Sequence, residues 1–154
     1  MTDNLYILIH SVNSVNIVTQ FTYISLGFNV KNIIISKAEG SAAMSGVPAA
    51  QKSVFKEGKN LLYLADITDV KEVIKPDFFY QVVSKKYSSN YFEDLDIIKN
   101  LNDGKRVLIA FSGQKSGFTK KEMDLGIPIA LKIPTDVGPL GAVAIILNEI
   151  IKTQ

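Results

Sequence analysis

With 154 residues, 47% of them hydrophobic, the chain is long enough for one globular domain with a full core. It has no Cys and one His, which argues against a disulfide framework and against a zinc centre built on thiolates or imidazoles; no metal is expected. A net charge of +2 is too small to mark a nucleic-acid binder by itself, so any such role must rest on local clusters of lysine. The amino terminus MTDNLYILIH lacks a basic leader followed by a long apolar core, and no apolar run reaches about 18 residues. The expectation is a cytoplasmic protein without a membrane span.

Asn4 to His10 predicts a first strand, ending in the polar turn His10-Ser11-Val12-Asn13, where Ser11 or Asn13 can cap the next helix. That helix runs from Val15 to Leu26, with Ile17, Phe21, Ile24 and Ser25 on one side and Gly27 as its stop. Val30 to Ser36 is rich in β-branched residues and predicts a second strand. Small residues between Lys37 and Ala43 would let a ligand or another backbone come close, and Gly46-Val47-Pro48 opens a helix to about Glu57. Asn60 to Ala65 reads as a strand, Ile67 to Ile74 as a short helix stopped by Pro76, and Phe78 to Ser84 as a strand. Ser84 to Gly104 is the least regular part and holds one candidate helix, Phe92 to Leu101.

Val107 to Phe111 and Ile127 to Ile133 are short continuous apolar runs, the pattern of strands covered on both faces. The chain closes with a helix from Pro139 to about Lys152, apolar around nearly its whole circumference. Such a helix needs cover on more than one side, from a second subunit or from the Ser84 to Gly104 segment. The alternation of elements predicts an α/β fold: a mostly parallel sheet of five to six strands with helices on both faces.

The last two strands each empty into a glycine-bearing loop, Ser112-Gly113-Gln114-Lys115-Ser116-Gly117 and Pro134-Thr135-Asp136-Val137-Gly138, the second followed by Pro139. Two such loops side by side at the carboxyl ends of parallel strands make a crevice of backbone amides and carbonyls, the usual ligand position in an open α/β sheet. Each glycine alone is equally well explained by its turn; only their arrangement speaks for a ligand. Lys85, Lys86 and Lys115 lie in or beside these loops, where the plain alternative is a solvated surface.

These residues resemble the SPOUT-class RNA methyltransferases. That family typically shows an apolar strand, a Gly-Ser-Glu-Gly-x-Gly-Leu-Ser-like loop, an Ile-Pro pair and a Ser-Leu-Asn-like start to an apolar last helix. Gln114 falls where its Glu often stands, Gly117-Phe118-Thr119 match Gly-Leu-Ser, Ile133-Pro134 match Ile-Pro, and Pro139-Leu140-Gly141 stand in for Ser-Leu-Asn. The similarity covers the last third well and the rest loosely, and is greatest to a mainly archaeal branch, some of whose members carry a "RecB-family nuclease" label. It implies a C-terminal trefoil knot, S-adenosylmethionine as cofactor, tRNA or rRNA as substrate, and a homodimer through the first and last helices. The cofactor-binding residues it implies are Phe111, Ser112, Gly113, Gln114 and Gly117, then Leu131, Ile133 and Pro134, then Gly138, Leu140 and Gly141.

His10, Asn13 and Lys37 are the candidate catalytic residues, and Lys37, Lys85, Lys86 and Lys115 the candidate RNA contacts. His10 can accept a proton near neutral pH or, equally, be a structural His satisfied by a neighbouring carbonyl; capping explains Asn13 as well as catalysis does. One departure from the family matters: its SpoU branch carries an RNA-contacting arginine in the first helix, whereas here Thr19-Gln20-Phe21-Thr22 stands there and no arginine precedes Arg106. Lysine would be a point charge in place of a bidentate fork. The rival expectation is therefore a dimeric RNA-binding or cofactor-binding protein without transferase activity. A nuclease is disfavoured, since Asp66, Glu72 and Lys75 surround a short helix with no Asp-x-Glu-x-Lys-like strand.

Overall fold

The structure, a computed structural model, describes residues 3–153. Six strands, β1 (Leu5–Val12), β2 (Asn32–Ala38), β3 (Asn60–Leu64), β4 (Phe78–Val82), β5 (Val107–Ser112) and β6 (Ile127–Ile129), pair throughout in parallel, in the order β3-β2-β1-β5-β4-β6. One face is covered by α1 (Val15–Gly27), α2 (Val47–Lys56), α4 (Ile97–Asn102) and α6 (Gly138–Lys152), whose apolar residues join Ile7, Ile9, Ile109 and Phe111 in the larger core. The other face packs α3 (Ile67–Ile74) and the one-turn α5 (Lys120–Met123) on Leu8, Ile34, Leu108 and Ala110. No helix among the described residues is long and apolar enough to cross a membrane.

The order of the strands reverses between β1 and β5, the point at which open α/β sheets place their crevice. Strands β5 and β6 are not neighbours, because β4 lies between them. Pairing is a long-range choice, and no local pattern in the sequence encodes it.

Strands β1 and β2 run two residues further than expected, each through a left-handed residue, Ser11 (φ 60) and Lys37 (φ 50), set level with one another between the pairs His10↔Ser36 and Val12↔Ala38. Neither is Gly or Asn, so the turn-like backbone left no mark in the sequence. Helix α1 is capped by Ser14, whose Oγ accepts from the Ile17 N–H at 3.3 Å, and not by Ser11 or Asn13. Its buried side is Val18, Phe21, Thr22 and Ser25, and the two hydroxyls donate to the carbonyls one turn back at 2.8 Å, so the polar atoms enter the core satisfied.

The single helix expected over Phe92 to Leu101 is broken. Phe92–Asp94 forms a 3-10 turn, Leu95 is extended, and α4 follows. The break lets Phe92 bury itself while the Glu93 carboxylate accepts from the Lys132 N–H and Asp94 pairs with Lys132 Nζ at 2.7 Å. Phe92, Ile97 and Leu101 join the core that holds α6. Strand β6 ends at Ile129 instead of Ile133, since beyond the single bridge Tyr91↔Ala130 the apolar residues leave the sheet for the crevice. Helix α6 buries the stripe Ala142, Val143, Ile146, Leu147 and Ile150 inside its own chain, leaving Leu140 and Ile145 half-buried and Ile151 exposed.

Candidate functional site

At the carboxyl ends of β4 and β5 the chain encloses a cavity of about 810 Å³. The Ser112–Gly117 loop and the residues from Leu131 to Pro139 both border it although their strands are not adjacent, and Val82, Val83 and Ser84 at the end of β4 fill the gap between them. Of the residues expected to hold a cofactor, Phe111, Ser112, Gly113, Gln114, Gly117, Leu131, Ile133 and Gly138 line this cavity. Pro134 lies on a shallower neighbouring depression with Lys85, Tyr91 and Lys132. Leu140 and Gly141 border neither. Leu140 packs against the core, and the Cα of Gly141 abuts Val137 so closely that an added Cβ would stand 2.8 Å from the valine side chain.

Lys85, Lys86 and Lys115 line the cavity; Lys37, exposed on the far side of β1, does not. Asn13 is an exposed residue of the β1–α1 turn and also lies outside it. Tyr87 was not anticipated as a lining residue; Asp136, in the second of the loops expected to form the crevice, is the only carboxylate on the wall among the described residues. Finding Tyr87 required the strand order, because it follows β4. The first loop is anchored to β1: Gly113 N–H donates to the His10 carbonyl at 2.8 Å, and Gln114 Nε2 donates to the Ser11 carbonyl at 3.0 Å. The side chain of Gln114 is thus spent on holding the loop.

His10 does not reach the cavity. On β1 it shares the face of Leu8 and not that of Ile9, and its ring stacks on Phe118 at 6.1 Å and 8°, so Phe118 forms the cavity wall in its place. The imidazole is completely buried, with Nδ1 2.8 Å from Ser36 Oγ and Nε2 2.7 Å from Glu122 Oε2. A hydroxyl and a carboxylate satisfy it, instead of the carbonyl expected. Asp66, the N-cap of α3, stands on the open side with Oδ1 4.0 Å from Nε2.

Glu122 sits in α5, a helix too short for its periodicity to be read, yet its Thr119-x-x-Glu122 capping box was a legible start signal. Burial pushes the Glu122 carboxyl up, but hydrogen bonds from the Thr119 backbone N–H at 2.9 Å and from His10 outweigh it and hold it below the usual carboxylate value. An ionised Glu122 only accepts hydrogen bonds, so His10 Nε2 carries the proton between them. Together His10, Asp66 and Glu122 are the one group of metal-ligating side chains that converges among the described residues.

Residues 40–149 match the family described as RecB-family nuclease (DUF2122). A protein of Methanocaldococcus jannaschii named "Putative type II restriction enzyme MjaORF1200P" is 31% identical over 148 residues, covering 96% of this chain and 97% of its own. One of Aeropyrum pernix, "Putative type II restriction enzyme ApeKORF2002P", is 27% identical over 145 residues, covering 94% and 90%. Among solved structures, the SpoU methyltransferase AviRb from Streptomyces viridochromogenes in complex with the cofactor AdoMet superposes with a TM-score of 0.77 at 10% identity, over 99% of this chain and 61% of that one. TrmJ from Z. mobilis ZM4 does so with a TM-score of 0.72 at 14% identity, over 97% and 69%. At such identities the likeness is one of fold. The chain belongs to the RecB-family nuclease (DUF2122) family, and it has the fold of the SpoU methyltransferases.

Proposed function

We propose that the protein is an S-adenosylmethionine-dependent RNA methyltransferase of the SPOUT class, acting on tRNA or rRNA, with its tail threaded as a trefoil knot. The observation that carries this reading is the cavity at the strand ends. Its volume of about 810 Å³ falls within the roughly 300–1,000 Å³ typical of cofactor sites. The chemistry of its lining fits the cofactor: Phe111, Leu131, Ile133 and Ala142 offer apolar surface for an adenine ring, and Ser112 and Gly138 are the polar and glycine positions beside them. A bound cofactor would supply an electrophilic methyl group and needs no metal to do so. The chain's part is orientation and exclusion of water, with Asp136 available on the wall to take a proton from the acceptor. Lys85, Lys86 and Lys115 would offer phosphate contacts at the same opening.

Titration calorimetry with S-adenosylmethionine and its demethylated product is expected to show one site per chain; no binding at millimolar cofactor would remove the reading. Mass spectrometry of bulk RNA from a deletion strain should then show the loss of one methylated nucleoside. The missing first-helix arginine favours a second reading, a binding protein without turnover, and in that case the cofactor binds but no nucleoside disappears. Phosphodiester hydrolysis by a carboxylate-held Mg²⁺ fits less well, because Asp66 faces His10 and neither Glu72 nor Lys75 belongs to that cluster.

The assembly that goes with this function is a homodimer through α1 and α6. Tyr23 on α1 is 75% exposed, and Ile151 with the half-buried Leu140 and Ile145 leaves apolar surface on α6. Sedimentation is expected to return twice the chain mass of 16.9 kDa. A single species of chain mass at micromolar concentration would exclude the dimer.

A further inference from the structure

We propose that His10, Asp66 and Glu122 form a binding site for one divalent transition-metal ion, Zn²⁺ in the first instance, distinct from the cavity at the strand ends. Three separate elements deliver these side chains: β1, the N-terminus of α3, and α5. Their donor atoms all lie within 4.8 Å of one another. With bonds of about 2.0–2.2 Å, a tetrahedral ion spaces its ligands roughly 3.3–3.5 Å apart. The observed 2.7 Å between His10 Nε2 and Glu122 Oε2 therefore opens, and the 4.0 Å to Asp66 Oδ1 closes, each by roughly 0.5–0.8 Å, within reach of side-chain torsions.

Each donor is already held from behind, as ligands in metal sites are. Ser36 Oγ, 2.8 Å from His10 Nδ1, accepts the proton that must sit there once Nε2 binds an ion. Glu122 Oε1 is fixed by the Thr119 N–H at 2.9 Å, and Asp66 Oδ1 by the Ile67 N–H at 2.7 Å. The α3 capping box fixes the Asp66 carboxylate, and its Oδ1 stands 4.0 Å from the nitrogen that Glu122 contacts.

Exposure grades outward, from none at the His10 side chain through 16% at Glu122 to 52% at Asp66, so the ion has an entry side where water completes the coordination. Gln81 gives its amide N–H to the Glu122 carbonyl, and its own Oε1 is the one buried side-chain oxygen without a partner among the described residues. One imidazole with two carboxylates suits Zn²⁺ or Mn²⁺ better than Mg²⁺ or Ca²⁺, which prefer oxygen alone. Coordination requires Nε2 without its proton, with the remaining imidazole proton on Nδ1. The ion would pin α5, and with it Phe118, which stacks on His10 and forms part of the cavity wall.

The test uses the full-length protein stripped by a chelator and titrated with Zn²⁺ alone. One ion per chain is expected, with a rise in melting temperature. Asp66→Asn keeps the helix cap, because Asn caps as well as Asp does, and should weaken binding roughly tenfold or more. Glu122→Gln should abolish it. Melting curves without metal establish that each variant folds. No binding at millimolar Zn²⁺, or variants that bind as wild type does, would overturn the site. Neither result bears on cofactor binding in the cavity, which is titrated separately.

Discussion

Replacing His10 by Ala is expected to destabilise the protein by about 2–4 kcal/mol, from the loss of one hydrogen bond to a hydroxyl and one to a carboxylate. His10 lies on a central strand with no exposure, and its two nitrogens are the side-chain partners of Ser36 Oγ and of Glu122 Oε2. The Ala variant leaves the buried Ser36 hydroxyl facing a void, at about 1–3 kcal/mol, and takes from Glu122 one of its hydrogen bonds, before the lost stacking on Phe118 is counted. Urea unfolding followed by circular dichroism measures the loss; a change under about 1 kcal/mol would mean that the cluster does not organise this face.

The same pair sets an acid limb. Because the folded-state value of Glu122 lies below its unfolded one, its contribution to stability is present above the ordinary carboxylate range and is lost as pH falls through the depressed value. The variant should therefore lose less stability than wild type does on acidification below about pH 5.

Gly113→Ala is expected to cost about 2–3 kcal/mol and to abolish cofactor binding in the cavity. A Cβ at this position would stand 2.6 Å from the Ser11 carbonyl oxygen, 2.9 Å from Val12 Cβ and 3.1 Å from Val12 Cα. Two of these three atoms are backbone, next to the pair Val12↔Ala38 that ties β1 to β2, so the loop after β5 must move. Gly117→Ala is the control. Its φ of +78° disfavours a side chain by about 1–2 kcal/mol, but nothing lies within 4 Å of the added carbon. If both variants unfold at the same urea concentration and bind cofactor alike, the close approach of the loop to β1 is not what shapes the site.

Alternation of apolar runs with amphipathic segments was enough to place five strands and four of the helices within about two residues, because burial dictates both patterns locally. Leu131 and Ile133 misled that reading: they are apolar because they line a cavity, and not because they pair in the sheet. The crevice was legible from two glycine-bearing loops, yet the place of β4 between their strands was not, since strand order is decided by contacts across the whole chain. His10 was placed at the right height and on the wrong side. Counting by twos from Leu8 gives its face, but α5, the element it meets there, is a single turn with no periodicity to detect.

The middle of the sheet is the pairing of Leu5 with Val107, residues about a hundred positions apart. As the chain emerges from the ribosome, β1 can join β2 and β3 early, but its second flank has no partner until β5 has been synthesised. Until then a strand of Leu, Ile and Tyr stands with one row of backbone amides and carbonyls open to water and to neighbouring nascent chains. Closing so wide a loop defers most of the reward for folding to the final third of synthesis, and the cavity cannot exist before that moment.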